Sequence, residues 1–383
     1  MFWLRHLGVA QWVLHVDLDQ FIAAVEVLRK PELRGLPIVV GGDGDPTKRG
    51  VVSTASYEAR LHGVHSGLAL RTAARRCPEA VFLPVDRAAY EAASDEVMAA
   101  LRELTVPIRG DTLPVGGHPR TPDGPQAPAV VVEVMGWDEA FLAVETEDPE
   151  SFARLIQQQV KAATELDCSV GIGQNKLQAK IATGFGKPAG VFRITNDTWL
   201  ATLGDKPTDA LWGVGSRTAK RLADLSIMTV AELASASPRE LAPHFGPNIG
   251  PWLVQLARGI DLSKVTAEPY VPRSRSREVT FQQNLADWEQ VKAEVAKIAG
   301  TVSDDVAAEG RPTARIVVKV RYAPFFTKTH GYSLAEPTSD PAAIEKAALA
   351  ALDGFTRKDP VRLLGVRAEF AEPQPHRPGI PGS

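Results

Sequence analysis

Residues 16–21 are Val-Asp-Leu-Asp-Gln-Phe, and they mark the point near the start of the chain where a strand ends and a helix begins. The apolar run at 12–14 predicts a buried strand, and the pattern at 22–28 predicts a helix. Asp17 therefore lies on a buried strand, where a carboxylate is unfavourable unless its desolvation is compensated. A pair of divalent metal ions is one such compensation.

A second acidic stretch, Gly-Trp-Asp-Glu-Ala-Phe at 136–141, has the same setting. Apolar runs at 130–132 and 141–144 predict strands on either side of Asp138 and Glu139. These two carboxylates therefore need the same compensation as the first motif.

The carboxylates of Asp17, Asp138 and Glu139 could bind two hard cations through oxygen, the arrangement used in nucleotidyl transfer. The backbone carbonyl of Leu18 could add a ligand, whereas Asp19 lies two residues further along the same strand face and is a weaker candidate. In the alternative interpretation, Asp17 and Asp138 end strands and cap the helices that follow. Residue types alone leave both interpretations open.

The bulk composition sets limits on fold and location. A chain of 383 residues exceeds what one hydrophobic core usually holds, so two or more domains are expected. No apolar run is long enough to span a membrane, and no signal peptide is recognised. Cys77 and Cys168 lack metal-ligand spacing, so we expect a reduced, cytoplasmic protein without a membrane partner.

The net charge of −3 argues against a nucleic-acid-binding protein unless a local surface is basic. Six cations alternate along two predicted C-terminal strands and are expected to give their sheet a basic face. They are Arg273, Arg275 and Arg277 on one strand, and Arg315, Lys319 and Arg321 on the other. Contact with a DNA backbone is the favoured interpretation, and a merely solvated face is the alternative.

Two further clusters suit an anionic phosphate. Thr54 lies at a predicted strand-to-helix turn, and Tyr57 and Arg60 share one face of the helix that follows. Lys187 lies among the glycines of 184–190 and could reach a phosphate, although the residue order of a P-loop is absent. The alternatives are packing for Tyr57, ion pairing for Arg60 and an ordinary loop position for Lys187.

A third phosphate candidate is Leu-Trp-Gly-Val-Gly at 211–215, which opens a basic helix. Gly213 and Gly215 leave backbone N–H groups accessible, and Lys220 lies in the next turn. Such a hairpin binds a nucleic-acid phosphate without reading its sequence. The alternative is a tight turn between two helices.

The order of predicted elements indicates several units. Short helices fill 199–258, a linker follows at 267–272, and the last unit has the β-α-β-β-α-β order of a split βαβ fold. A Pro- and Gly-rich loop is predicted at 107–129, with 111–128 as its inserted part. A disordered tail is predicted at 373–383.

Taken together, these motifs resemble the Y-family of translesion DNA polymerases, in the DinB or DNA polymerase IV branch. The resemblance extends from about residue 13 to residue 370, and its motifs occur in the order of the family. They are Asp-x-Asp-x-Phe at 17–21, Ser-Tyr-Glu-Ala-Arg at 56–60, Asp-Glu-Ala-Phe at 138–141, Gly-Ile-Gly-x-Asn-Lys-x-x-Ala-Lys at 171–180, Lys-Pro-x-Gly at 187–190 and Gly-Val-Gly at 213–215.

The resemblance implies an α+β multidomain fold shaped like a right hand. The hand has a ferredoxin-like palm, small fingers, a helical helix-hairpin-helix thumb and a β-α-β-β-α-β little finger. The implied domains are a palm at 1–20 and 87–194, fingers at 21–86, a thumb at 195–262, a linker at 263–272, a little finger at 273–371 and a disordered tail at 372–383.

The resemblance also implies low-fidelity, template-dependent addition of nucleotides to a primer 3′-OH by a monomer. The implied partners are primer-template DNA and a dNTP, with two Mg²⁺ ions, or Mn²⁺ as a substitute. The metal ligands would be Asp17, the Leu18 carbonyl, Asp138 and Glu139. The nucleotide would lie against Phe21, Ile22, Thr54, Tyr57, Arg60 and Lys187, and the DNA against Gly213, Gly215, Lys220 and the six strand cations.

One departure from the family pattern concerns the sugar. Family members usually carry an aromatic residue directly after the Phe of the first motif, and its ring excludes a 2′-OH. Here Ile22 follows Phe21, and an aliphatic side chain covers less of the sugar edge than a ring. We therefore expect weakened discrimination against ribonucleotides, so that an rNTP is a possible substrate.

Two other functions remain open at this level. One is a non-catalytic DNA-binding relative in a mutagenesis complex, although such a relative is expected to lose the acidic ligands. The other is a nucleotidyl cyclase with a similar palm, which would leave the glycine hairpin and the basic strands nothing to bind. The tail at 373–383 lacks a Gln-x-x-Leu-Phe-like peptide, so binding to a sliding clamp is undecided.

Overall fold

The computed structural model of the protein describes residues 10–104, 130–356 and 359–371. The predicted loop at 107–129, including its inserted part, and the predicted tail at 373–383 lie outside the described residues. Within the described ranges, every helix is too short or too polar to cross a membrane.

The first part of the chain folds around a five-stranded sheet with the order β5-β6-β1-β7-β8. The central strand β1 runs antiparallel to both β6 and β7, and β7 runs parallel to β8. The elements are β1 Gln11–Leu18, α1 Phe21–Arg29, β2 Ile38–Val40, β3 Thr54–Ala55, α2 Tyr57–Leu61, α3 Leu70–Arg76, β4 Val81–Leu83, α4 Arg87–Arg102, β5 Val131–Val134, β6 Glu139–Glu145, α5 Pro149–Thr164, β7 Cys168–Gly173, α6 Lys176–Gly186 and β8 Val191–Arg193.

Local capping sets where three of these helices begin. The side chains of Asp86, Asp148 and Asn175 accept backbone N–H groups in the first turns of α4, α5 and α6. The apolar faces of α4 and α5 and those of the sheet form one core, to which α1 adds Phe21 and Val25. The first motif therefore lies where the central strand enters this core.

A smaller unit lies beside the large sheet. It has a three-stranded sheet in the order β3-β2-β4, together with α2 and α3. Its own core has eight buried residues, most of them small. Ser56 caps α2 by accepting from the Ala59 N–H, which aims the first turn of α2 at the end of β1.

The middle of the chain is helical, as predicted, and has its own core. Its helices are α7 Trp199–Leu203, α8 Ser216–Ala223, α9 Val230–Ser235, α10 Pro238–Phe245 and α11 Ile249–Ala257. Trp199 is buried and donates its indole N–H to the Ala257 carbonyl over 2.7 Å, which ties the first of these helices to the last.

The C-terminal unit has the predicted β-α-β-β-α-β order. Its elements are β9 Ser274–Leu285, α12 Trp288–Glu309, β10 Thr313–Tyr322, β11 Thr327–Thr338, α13 Pro341–Asp353 and β12 Val361–Phe370. The four strands are antiparallel in the order β11-β10-β12-β9, and α12 and α13 cover one face. The other face, called here the helix-free face, carries Arg315, Lys319, Arg321 and Arg367.

The prediction that six cations share one face of this sheet is wrong. The register pairs Arg275 with Ala368 and Arg277 with Val366, so both arginines lie on the helix side. Arg277 there makes two hydrogen bonds of 2.6 Å to Asp305 of α12. Alternation within one strand cannot tell which way a neighbouring strand is turned, because that depends on the pairing register.

Several contacts in the described part of the chain join the units across large sequence separations, and two sets of them involve the C-terminal unit and the segment before it. Arg49 of the small unit donates from its guanidinium to the Phe281 carbonyl over 2.9 Å and to the Asn284 side chain over 2.8 Å. Glu133 on edge strand β5 accepts from the Thr266 N–H over 2.9 Å, which holds the segment before the C-terminal unit against the large sheet.

The Gly-Ile-Gly motif on β7 has a packing cause, which leads to a stability prediction. A Cβ at Gly171 would overlap the Ala179 carbonyl and the Thr183 nitrogen of α6. We expect Gly171→Ala to lower the free energy of unfolding by about 1–3 kcal/mol, the usual range for overpacking. Gly184→Ala is the control, because a Cβ at Gly184 meets nothing within 4 Å. Urea denaturation of both variants checks this, and equal stabilities would contradict it.

Candidate active site

The three predicted metal-binding carboxylates meet at one end of the large sheet. The register of β1 and β6 places Asp17 directly opposite Glu139. The Leu18 N–H donates to the Asp138 carbonyl over 2.9 Å, so the third carboxylate belongs to the residue next to this pair. The alternative interpretation, in which these acids cap helices, fails for Asp17 and Asp138, because Gln20 precedes α1 and β6 follows Asp138 directly.

Burial and like charge raise the pKa values of two of these acids. Burial raises the pKa of Asp17 to about 6 against the opposing effect of Lys187, and the charges of Glu139 and Asp138 add to the increase. The pKa of Asp138 is raised by burial first and by Glu139 second. Raised pKa values of neighbouring buried acids are frequent at functional sites.

Two lysine ammonium groups partly neutralise this charge. Lys187 forms an ion pair with Asp17, and Lys180 pairs with Glu139 over 2.6 Å. Both ammonium groups are less than a third exposed. The two lysines thus lie beside the carboxylates, and a cation that bound these carboxylates would compete with the lysines.

A buried histidine supports one of these lysines. His15 lies on β1 two residues before Asp17 and is almost fully buried. Its Nε2 is 3.2 Å from the Lys180 ammonium, which can only donate, so Nε2 accepts. Its Nδ1 then donates to the Thr183 hydroxyl over 2.8 Å. Burial, reinforced by the charges of Lys180 and Lys187, lowers the pKa of His15 well below its ordinary value.

Asp19, the weaker candidate for a ligand, has another set of contacts. Its carboxylate accepts from the Tyr57 hydroxyl over 2.8 Å, from the Ser169 hydroxyl over 2.9 Å and from the Ala189 N–H over 2.6 Å. These bonds connect the small unit, strand β7 and the loop after Lys187. Asp19 therefore positions the surroundings of the site.

The predicted phosphate-binding residues of the small unit lie on this side of the site. Thr54 is half-buried on β3, and the Tyr57 N–H donates to the Gln20 side chain over 2.6 Å. Arg60 is exposed, its Nε donates to the Ala55 carbonyl over 2.9 Å, and its guanidinium lies 4.9 Å from the centre of the Tyr57 ring. The structure thus brings Tyr57 and Arg60 together, with Tyr57 bonded to the end of β1.

Phe21 and Ile22 begin α1 directly after the first motif. Phe21 is buried in the main core, whereas Ile22 is partly buried and packs against the same core. The ring and the aliphatic side chain thus occupy different environments although they are adjacent in sequence.

The predicted DNA contacts lie on two other units. Gly213 has a φ of 98°, and Gly215 precedes α8; both glycines are exposed, as is Lys220, while Val214 between them is buried. On the C-terminal sheet, Arg315 and Lys319 pair with Glu369 and Glu278.

Three residues with a place in these sites were given no role by sequence reasoning. They are His15 and Lys180 beside the carboxylates and Arg367 on the helix-free face. Lys180 is the last residue of the family motif at 171–180, and its place in that motif could have indicated a role in the site. The positions of His15 and Arg367 followed only from strand pairing, because the pattern of one strand does not show which residues its neighbours bring close.

Comparisons with known proteins identify the family of the chain. The sequence model of the impB/mucB/samB family matches residues 16–110 and 126–184, and that of its C-terminal domain matches 272–378. A model described as the DNA polymerase-iota thumb domain matches 209–261. Matches to these models cover most of the chain.

Whole-chain relatives give the same result. DNA polymerase IV 2 of Mycobacterium tuberculosis is 48% identical over 365 residues, which cover 94% of this chain and 98% of the relative. DNA polymerase IV of Methanoculleus marisnigri is 38% identical over 367 residues, 94% of each chain.

Solved structures confirm the predicted right-hand fold. A Y-family DNA polymerase chimera of Dbh and Dpo4 superposes with a TM-score of 0.77 at 26% identity, covering 94% of this chain and 98% of the chimera. An insertion ternary complex of Dbh DNA polymerase superposes with a TM-score of 0.57 at 26% identity and the same coverage. The chain therefore belongs to the DinB or DNA polymerase IV branch of the Y-family of translesion DNA polymerases, and it is a DNA-directed DNA polymerase.

Proposed function

We propose that this polymerase extends a primer 3′-OH on a DNA template through the site formed by Asp17, Asp138 and Glu139. The observation that carries the proposal is the convergence of these three carboxylates across paired strands at one end of the large sheet. A complex of Dbh DNA polymerase is described as an insertion ternary complex, and by analogy primer-template DNA and a nucleoside triphosphate are the proposed partners here.

The residues present fit two Mg²⁺ ions. The donor set is all oxygen, from three carboxylates and the Leu18 carbonyl, which suits hard cations. The raised pKa values of Asp17 and Asp138 reflect charge that burial leaves poorly compensated, and a divalent cation would supply the missing compensation. Such ions, when bound, lower the repulsion between primer and triphosphate and neutralise the leaving pyrophosphate.

Lys187 is proposed to change partner when a nucleotide binds. It pairs with Asp17 in the structure, and the Lys-Pro-x-Gly turn is held by the bond from the Ala189 N–H to Asp19. If cations held by Asp17 supplied its compensating charge, the Lys187 ammonium would be available to bind the triphosphate. Arg60 and Tyr57 would bind the same triphosphate from the small unit, and Thr54 would add a hydroxyl.

We propose the domain assignment of a right hand for the observed units. The large sheet would be the palm, the small three-stranded unit the fingers, the helical segment the thumb and the C-terminal sheet the little finger. Gly213, Gly215 and Lys220 would bind a DNA phosphate through the hairpin before α8. The helix-free face would bind the duplex backbone through Arg315, Lys319, Arg321 and Arg367.

Sugar selection is proposed to depend on Ile22. This residue is the second of α1, five positions after Asp17, and is partly buried, whereas Phe21 is buried in the core. A β-branched aliphatic group has no ring to lie along the sugar edge, so the 2′-OH of a ribonucleotide meets less steric opposition. Insertion of rNTPs would follow.

The first test concerns the proposed chemistry. Asp138→Ala should abolish primer extension because it removes one of three converging carboxylates, and a loss of at least about a hundredfold is expected. The measurement is single-nucleotide extension of a primed template with Mg²⁺, and the melting temperature of the variant controls for folding. Undiminished extension by a folded variant would exclude this site.

The second test concerns the sugar. Ile22→Phe should raise the preference for dNTP over rNTP by roughly ten- to two-hundredfold, the discrimination that a few atoms in a pocket supply. Ratios of kcat/KM for dNTP and rNTP measure this preference, and Ile22→Leu is the control that should leave the ratio near the wild-type value. A wild-type enzyme that rejects rNTPs as strongly as Ile22→Phe would refute the role of Ile22.

The third test concerns the face of the C-terminal sheet that binds DNA. Arg367 and Arg277 are both 48% exposed, and each pairs with one acid, but they lie on opposite faces. Arg367→Ala should weaken duplex binding and reduce the slope of log affinity against log salt by about 1. Arg277→Ala should change neither. Fluorescence anisotropy over a salt series measures both, and equal effects would contradict the assignment.

A further inference from the structure

A cluster of three metal-ligating side chains lies in the small unit and belongs to none of the sites above. Its members are His62, Cys77 and Glu79, and one ligand atom of each lies within 4.8 Å of the other two. His62 is the residue after α2, Cys77 is the residue after α3, and Glu79 follows in the turn before β4. The fold thus brings His62 together with Cys77 and Glu79, which lie 15 and 17 residues later in the sequence.

We propose that this cluster is a binding site for one divalent transition metal ion of the zinc class, with His62, Cys77 and Glu79 as three ligands and water as the fourth. A thiolate, an imidazole and a carboxylate form a donor set that zinc uses and that Mg²⁺ does not. The site is therefore chemically distinct from the all-oxygen site on the large sheet, and the two sites would select different ions.

The positions of the groups suit metal entry. The Cys77 thiol lies at the buried floor, whereas His62 and Glu79 are 45% and 54% exposed at the rim. Tetrahedral ligands at zinc bond lengths of about 2.0–2.3 Å lie roughly 3.5 Å apart, so ligand atoms that lie within 4.8 Å of one another must approach by about 1.3 Å at most. The exposed rim side chains can move that far by rotamer changes, while the packed Cys77 stays in place.

The contacts within the cluster converge on one carboxylate. Glu79 lies 3.3 Å from His62 Nε2. Burial first, and then the neighbouring Glu79 carboxylate, raise the pKa of the Cys77 thiol. When the metal binds, the sulfur–metal bond forms, the S–H bond breaks and one proton passes to solvent. A surface ion pair between His62 and Glu79 alone would not explain why the thiol points to the same place.

A metal here would act on the helix that carries two of the proposed nucleotide-binding residues. Helix α2 contains Tyr57 and Arg60, and His62 follows its last turn. The core of the small unit has only eight buried residues, so the unit has little apolar surface with which to hold α2 against α3. An ion bound only by the folded form would stabilise that form.

The test uses the full-length chain with Co²⁺ as the probe. Metal-stripped protein is titrated with Co²⁺ in buffer containing excess Mg²⁺, and the ultraviolet thiolate-to-cobalt charge-transfer band is recorded. The active-site acids contain no sulfur and cannot produce this band. We expect one equivalent of Co²⁺ to saturate the band, and Zn²⁺ to abolish it by displacement.

Variants assign the ligands. Cys77→Ser should abolish the band, while Cys168→Ser, which alters the other buried cysteine, should retain it. Glu79→Gln and His62→Asn change exposed side chains and should preserve the fold; each should weaken Co²⁺ binding by at least roughly tenfold, the lower bound for the loss of even an outer-shell partner. Circular dichroism confirms that the variants are folded.

Three results would each overturn the proposal. They are a wild-type protein without the band, a band unchanged in Cys77→Ser, and affinities unchanged in both Glu79→Gln and His62→Asn. None of these results depends on polymerase activity, so the metal site can fail while the proposed function stands.

Discussion

The convergence of three partly buried carboxylates at one end of a five-stranded sheet is the constraint around which the site is organised. Asp17 lies on the central strand, and β6 brings Glu139 opposite it, so the acids cannot separate without breaking the sheet. Their desolvation requires positive charge nearby. Lys187 and Lys180 supply it here, and His15 holds Lys180 from beneath.

Pairing of each buried or clustered charge with a nearby opposite charge also explains how a DNA polymerase can be slightly acidic overall. On the helix-free face of the C-terminal sheet, Lys319 pairs with Glu278, and Arg315 and Arg367 pair with Glu369. The cations therefore carry their own neutralising partners, which phosphate would replace in the proposed complex with DNA. A net charge of −3 is compatible with a basic binding face because charge is balanced locally, pair by pair.

The small unit depends on the large sheet for its placement. Asp19, just beyond β1, accepts from the Tyr57 hydroxyl, and Gln20 accepts from the Tyr57 N–H. These bonds set the first turn of α2 against the end of β1, and the core of the unit itself has eight buried residues. The proposed metal at the other end of α2 would restrain the helix from its far side.

The sequence by itself predicted the β-α-β-β-α-β order of the C-terminal unit, the helical middle of the chain and the three carboxylates of the candidate site, because periodicity and motif order are local properties. It also singled out Ile22, since a departure from a motif is visible without a structure. The tertiary structure alone decided that Arg275 and Arg277 face α12, that Lys187 meets Asp17, and that Cys77 meets His62 and Glu79. These facts depend on strand register and on contacts between distant segments, and no local pattern encodes either of them.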